Sequence, residues 1–175
     1  SALLQVHAPT SLDDLSPKAP ARARLAFDEL LANQLALRLI RQQTKSALPG
    51  RVIAGTGRIT EQLLPLLPFT PTSAQQRVIA EITADQGTPD RMLRLLQGDV
   101  GSGKTFVALM AILTALEAGA QAALLAPTEI LARQHYQGLS KLLKQIGLTP
   151  VLLSGGTKQR ERQDILQGLA DGSCQ

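Results

Sequence analysis

Eight consecutive residues, Gly98-Asp99-Val100-Gly101-Ser102-Gly103-Lys104-Thr105, constrain this chain more than any other stretch. Glycines at 98, 101 and 103 let the backbone curl until successive N–H groups point at one spot, where a Cβ would obstruct an approaching phosphate. The pattern is that of a P-loop. Lys104 then reaches the β- and γ-phosphates of a nucleoside triphosphate, Thr105 offers its hydroxyl to Mg²⁺, and the following helix directs its positive N-terminus at the anion. Such a loop requires a buried strand before it and a helix after it. Met92 to Gln97 supplies a short apolar run, and Thr105 to Ala118, apolar nearly all round, is closed by Gly119.

The alternation continues downstream. Ala122 to Ala126 reads as a second buried strand, Ile130 to Ile146 as a helix closed by Gly147, Pro150 to Leu153 as a third strand, and Lys158 to Leu169 as a third helix. Strands alternating with helices predict an α/β fold, a parallel sheet with right-handed crossovers flanked by helices. Upstream, residues 1–20 hold Pro9, Pro17 and Pro20 without sustained periodicity and read as an extended linker. From Ala21 to about Lys45, Phe27, Leu31, Leu35 and Leu39 recur every fourth residue, the mark of a long amphipathic helix. Six prolines and glycines between 46 and 70 then end it in a connector, with a helical turn near Ile59 to Leu67, and a further helix covers Ala74 to Ala84. The divisions are therefore 1–20, 21–68 and 69–175.

Aromatics make up only 2% of the chain, so Leu, Ile, Val and Ala must fill the core, which disfavours an all-β sandwich. Cys174 is the single cysteine and has no partner within the chain, which suits a reducing compartment. No run approaches the length of a membrane span. The net charge is +4. Arg22, Arg24, Arg38, Arg41 and Lys45 cluster early and Lys158, Arg160 and Arg162 late, and each group suits either simple solubility or phosphate contact.

The segments flanking the P-loop carry further candidates. Phe69-Thr70-Pro71-Thr72-Ser73-Ala74-Gln75 sets an aromatic and an amide ahead of the strand. Gln75 either reads an adenine edge or is an ordinary helix-cap glutamine. Ala126-Pro127-Thr128-Glu129 starts a helix at the end of the second strand and leaves N–H groups that can hold a DNA phosphate, while Thr128 serves equally as a cap and Glu129 complements the helix dipole. Ser154-Gly155-Gly156-Thr157, followed by Lys158, offers a second phosphate contact.

The stretches "LPFTPTSAQQRVIAEI", "MLRLLQGDVGSGKTFVALMAILTALEAGAQAALLAPTEILARQHY" and "LLSGGTKQRERQDILQGLADG" resemble the RecG-type ATP-dependent DNA helicases of superfamily 2, over most of residues 66–172. "VHAPTSLDD" and "ARARLAFDELLANQLALRL" look like the segment that joins the wedge domain of that family to its motor. The resemblance implies a partial RecA-like lobe preceded by a linker helix. It implies ATP and Mg²⁺ as cofactors, with Phe69 and Gln75 at the adenine, Gly98 to Thr105 on the triphosphate, and Lys104 and Thr105 in catalysis. It places Pro127, Thr128, Glu129, Gln134, Gly155 and Lys158 at DNA.

It also implies a monomeric, cytoplasmic bacterial protein at the nucleoid that remodels stalled forks and recombination junctions. The acidic pair that orients water and metal in that family has no counterpart after the P-loop, since the one Asp-Glu pair, Asp28-Glu29, lies in the early helix. The chain is thus expected to grip nucleotide while hydrolysing little, and to self-associate through an open sheet edge. Another P-loop ATPase of DNA metabolism, or a non-catalytic nucleotide-binding module, are the rival readings.

Overall fold

The computed structural model describes residues 1–47 and 49–174, and the side chains of residues 44–47, Lys45 among them, lie outside that description. The chain divides into two units, Ser1–Pro49 and Gly50–Gln175.

In the first unit, α1 (Ala2–His7) packs against α2 (Pro20–Ala47), with a 3-10 turn at Asp13–Leu15 between them. The expected extended lead-in is therefore partly helical. Its order comes from local side-chain capping, which leaves no periodic trace: Ser1 accepts from Leu4 N–H, and Asp14 accepts from the N–H groups of Thr10 and Ser11 at 3.0 Å each. The second helix follows the four-residue periodicity and begins at Pro20, whose fixed φ suits a first helical position. Arg24 pairs with Asp28 one turn on, at 3.0 Å, so the Asp28-Glu29 pair belongs to a helix surface.

The second unit is organised around α5 (Lys104–Glu117). Phe106, Leu109, Met110 and Leu113 are buried together with Leu63 from α3 (Arg58–Leu63) and Leu143 from α6 (Glu129–Lys144). Ile79 of α4 (Ser73–Gln86) packs on the same cluster. A helix apolar on most of its circumference finds neighbours on several sides, as its sequence requires. It stops where Gly119, at φ +69°, lets its own N–H bond Leu116 O while Ala120 N–H bonds Ala115 O, a Schellman closure. Helix α6 ends alike at Gly147, and α7 (Gln159–Asp171) follows a tight turn at Ser154–Thr157.

The expected parallel sheet is absent: among the described residues no strand forms. Residues 92–97, 122–126 and 150–153 occupy the places the alternation assigns to strands, but they have no ladder partners among the described residues. A parallel strand cannot satisfy its own backbone and becomes a strand only beside a neighbour about 4.8 Å away. Periodicity reveals which runs suit that environment, not which runs lie side by side, and consecutive strands are neighbours only about two-thirds of the time. Leu93, Leu95 and Leu125 are accordingly 78%, 86% and 91% exposed. With no ladder among the described residues, no sheet edge of the expected kind is present there.

Candidate nucleotide-binding site and nucleic-acid contacts

The loop before α5 has the curl its glycines require. Gly101 and Gly103 adopt φ of +81° and +83°, a region closed in practice to side chains with a Cβ, and Gly103 is the N-cap of α5. Ser102 N–H turns back to Asp99 O at 3.2 Å. Gly98 lies so close to Ser102 that a Cβ on it would be 2.7 Å from the Ser102 hydroxyl oxygen. Lys104 bends over the loop and donates from Nζ to the carbonyls of Gly98 and Asp99, both at 2.7 Å. Its ammonium thus sits among dipoles that an anion can replace. Thr105 is half-buried beside it, and Val100 is fully exposed at the tip.

Two upstream candidates touch this segment. Gln75 forms a reciprocal capping box with Thr72: its N–H donates to Thr72 Oγ1 at 3.2 Å, and its Oε1 accepts from Thr72 N–H at 2.9 Å. The other end of the same amide donates to Ser102 O at 3.0 Å. Gln75 is therefore a cap and a partner of the P-loop at once. A Cβ at Gly103 would collide with Gln75 Nε2, which gives that glycine a second reason beyond its φ. Phe69 meets Phe106 of α5 edge to face, centroids 5.3 Å apart, and is 47% exposed. Beside it opens a groove of about 710 Å³ lined by Phe69, Thr70, Gln76, Ile79, Phe106 and Met110, apolar with a few polar groups at its rim.

The candidates downstream gather at two adjoining turns. Thr128 caps α6 by accepting from Leu131 N–H at 3.3 Å. Glu129 takes two hydrogen bonds from Arg133, at 3.0 and 2.6 Å. The Arg133 guanidinium holds the Glu129 carboxyl below the usual range against burial, which pushes it up, and Ser154 and then the Gly156 N–H add to the lowering. A Cβ on Gly156 would lie 3.1 Å from Glu129 Oε1, so the α6 start and the Gly155–Gly156 turn are in contact. Pro127, Gln134, Gly155 and Lys158 are exposed, Gln134 within α6, and Lys158 occupies the N-cap position of α7 without a side-chain capping bond. Glu129, an acceptor only, faces Arg133 and Gly156 rather than an anion.

Residues 72–173 match the family model described as DEAD/DEAH box helicase. The chain belongs to the DEAD/DEAH box helicase family. Among curated relatives, the ATP-dependent DNA helicase RecG of Acidithiobacillus ferridurans is 48% identical over 163 residues, 93% of this chain and 24% of that protein. RecG of a Synechocystis species is 45% identical over 172 residues, 98% of this chain and 20% of that protein. A solved structure of RecG bound to a three-way DNA junction superimposes with a TM-score of 0.78 at 43% identity, covering 85% of this chain and 20% of that one. The chain thus spans about a fifth to a quarter of the length of these relatives. Membership implies use of ATP. Among the described residues no helix is long and apolar enough to cross a membrane.

One residue lies outside the motifs that the sequence singles out. Glu117, the last residue of α5, accepts from Thr56 Oγ1 at 3.0 Å, Gly57 N–H at 2.6 Å and Ile59 N–H at 3.0 Å, and so caps α3 from 60 residues away. Burial pushes its carboxyl up, but those donors together outweigh burial and hold it below the ordinary value. The turn Gly55-Thr56-Gly57 is visible in the sequence as a break; its partner is not.

Proposed function

We propose that this chain is the nucleotide-gripping part of an ATP-dependent helicase that acts on branched DNA. The observation that carries the reading is the P-loop itself, with Lys104 held by the carbonyls of Gly98 and Asp99, Gln75 bonded to Ser102 within it, and Phe69 packed on Phe106 just after it. Those residues fit a nucleoside triphosphate: the loop offers N–H groups at left-handed glycines, the Lys104 ammonium and the start of a 14-residue helix. Lys104 would leave its carbonyls for the β- and γ-phosphates, the Thr105 hydroxyl would help hold Mg²⁺, and Phe69 with Gln75 would flank the adenine. The bound Mg²⁺ would neutralise charge on the phosphate oxygens.

Thr128, Gly155 and Lys158 then meet the DNA backbone, Pro127 and Gln134 lie alongside, and Glu129 serves that surface by holding Arg133 and the Gly156 turn. The similarity to RecG bound to a three-way junction supports branched DNA as the substrate and stalled forks or recombination junctions as its setting. The complete protein works as a monomer. The test uses the full-length protein. Lys104→Ala should lower ATP hydrolysis on a three-way junction by about 10²-fold or more while leaving junction binding in place. Hydrolysis at the parent rate in that variant would overturn the reading.

A further inference from the structure

The segment from Gly50 to Thr72 is fastened along α5 at both of that helix's ends. At the C-terminal end, Arg51 Nη2 donates to Ala118 O at 3.2 Å, and Glu117 receives Thr56, Gly57 and Ile59. Gly55 is pressed so close that a Cβ would lie 2.6 Å from Glu117 Oε2 and 3.3 Å from the Thr114 side chain. Midway, Leu63 is completely buried against Phe106, Leu109, Met110 and Leu113. At the N-terminal end Phe69 lies on Phe106, and Gln75, boxed with Thr72, reaches Ser102 O. Eleven helical residues separate the two ends, about 16 Å.

Between them the segment has little slack. Residues 58–66 are α3 and a 3-10 turn, and Pro65, Pro68 and Pro71 fix φ on the way to the P-loop. A helix start is also where donors are orphaned, so the Glu117 carboxylate gives α3 an anchor that nothing in its own sequence supplies, Gly57 being a cap without a side chain.

We propose that Glu117 is a positioning residue of the nucleotide site: by holding the start of α3 it sets the place of Phe69 and the Thr72–Gln75 cap, and thereby the preference for adenine. This rests on the reading of Phe69 and Gln75 as the adenine end of the site. Glu117 touches no nucleotide and acts only through the segment it fastens. Losing it leaves the phosphate cradle of Gly98 to Thr105 intact, because that loop is closed by its own bonds and by Lys104. The cost falls on the base, whose partners must then be ordered at the moment of binding.

The experiment compares the full-length protein with its Glu117→Ala and Glu117→Gln variants, with ATP and GTP as probes, by calorimetric titration and steady-state hydrolysis. Glu117→Ala should weaken ATP binding and raise KM about three- to tenfold, leave kcat within about twofold, and move the ATP-to-GTP preference toward one. Glu117→Gln keeps one acceptor oxygen, for the Gly57 N–H or the Ile59 N–H but not both, and should recover only part of the loss. Thr56→Val removes one donor from the carboxylate and should give a smaller shift of the same kind, which carries the test if Glu117→Ala does not fold. Unchanged ATP affinity and unchanged base preference in the folded variants, whatever their melting temperature, would overturn the proposal. A parent protein that binds no ATP would instead overturn the reading beneath it.

Discussion

The loop at residues 98–105 and the paired turns at 126–129 and 154–158 are held in opposite ways. The first closes on its own bonds but is tied to distant segments: Gln75 reaches Ser102 across 27 positions, and Glu117 secures the approach to Phe69 across 60. The second is shaped at home: Thr128 bonds Leu131, Glu129 bonds Arg133, and Ser154 bonds Thr157, each within four positions, and the Glu129–Arg133 pair resting near Gly156 joins the two turns. A surface that meets a long polyanion needs donors at the right places and tolerates local solutions, whereas a site that must know one base from another needs distant segments held in register. Damage far from the chemistry should therefore reach the nucleotide end and spare the DNA end.

The severest challenge to that contrast is Leu63→Ala, which empties a fully buried place between α3 and α5. It should cost about 2–5 kcal/mol of stability, read by urea denaturation, and the folded fraction should bind ATP more weakly while binding DNA as the parent does. Equal loss of both would erase the distinction. Thr72→Ala removes the oxygen that accepts from Gln75 N–H. About 1 kcal/mol should be lost, with a rise in KM for ATP, since the cap and the contact to Ser102 share one amide. The mildest case is Glu129→Gln. Its pair with Arg133 is exposed, so the thermal melt should not move detectably and KM for ATP should stay at the parent value. A changed KM there would show the two ends to be coupled after all.

Much of this was legible in the residues. The four-residue spacing of Phe27, Leu31, Leu35 and Leu39 gives α2, and Gly119 marks the end of α5, because helices satisfy their own backbones and their signals are local. The P-loop is readable for the same reason, its curl being encoded in its own glycines. What stayed hidden depends on partners distant along the chain. Nothing around Glu117 announces that it caps α3, and Gln75 looks the same whether it faces solvent, adenine or Ser102. The strand-like runs failed on this ground too: Leu93, Leu95 and Leu125 carry the right composition, but a ladder is a property of two segments and composition describes one.

Gly103 sits directly under the Gln75 amide, with no room there for a Cβ. That closeness makes two positions 28 residues apart a single heritable unit. A lineage that replaced Gly103 would have to move or shorten Gln75 in the same step, and one that lost Gln75 would relieve one of the two pressures keeping 103 bare. The spelling of the P-loop in this chain is thus partly written by a helix that stands outside it.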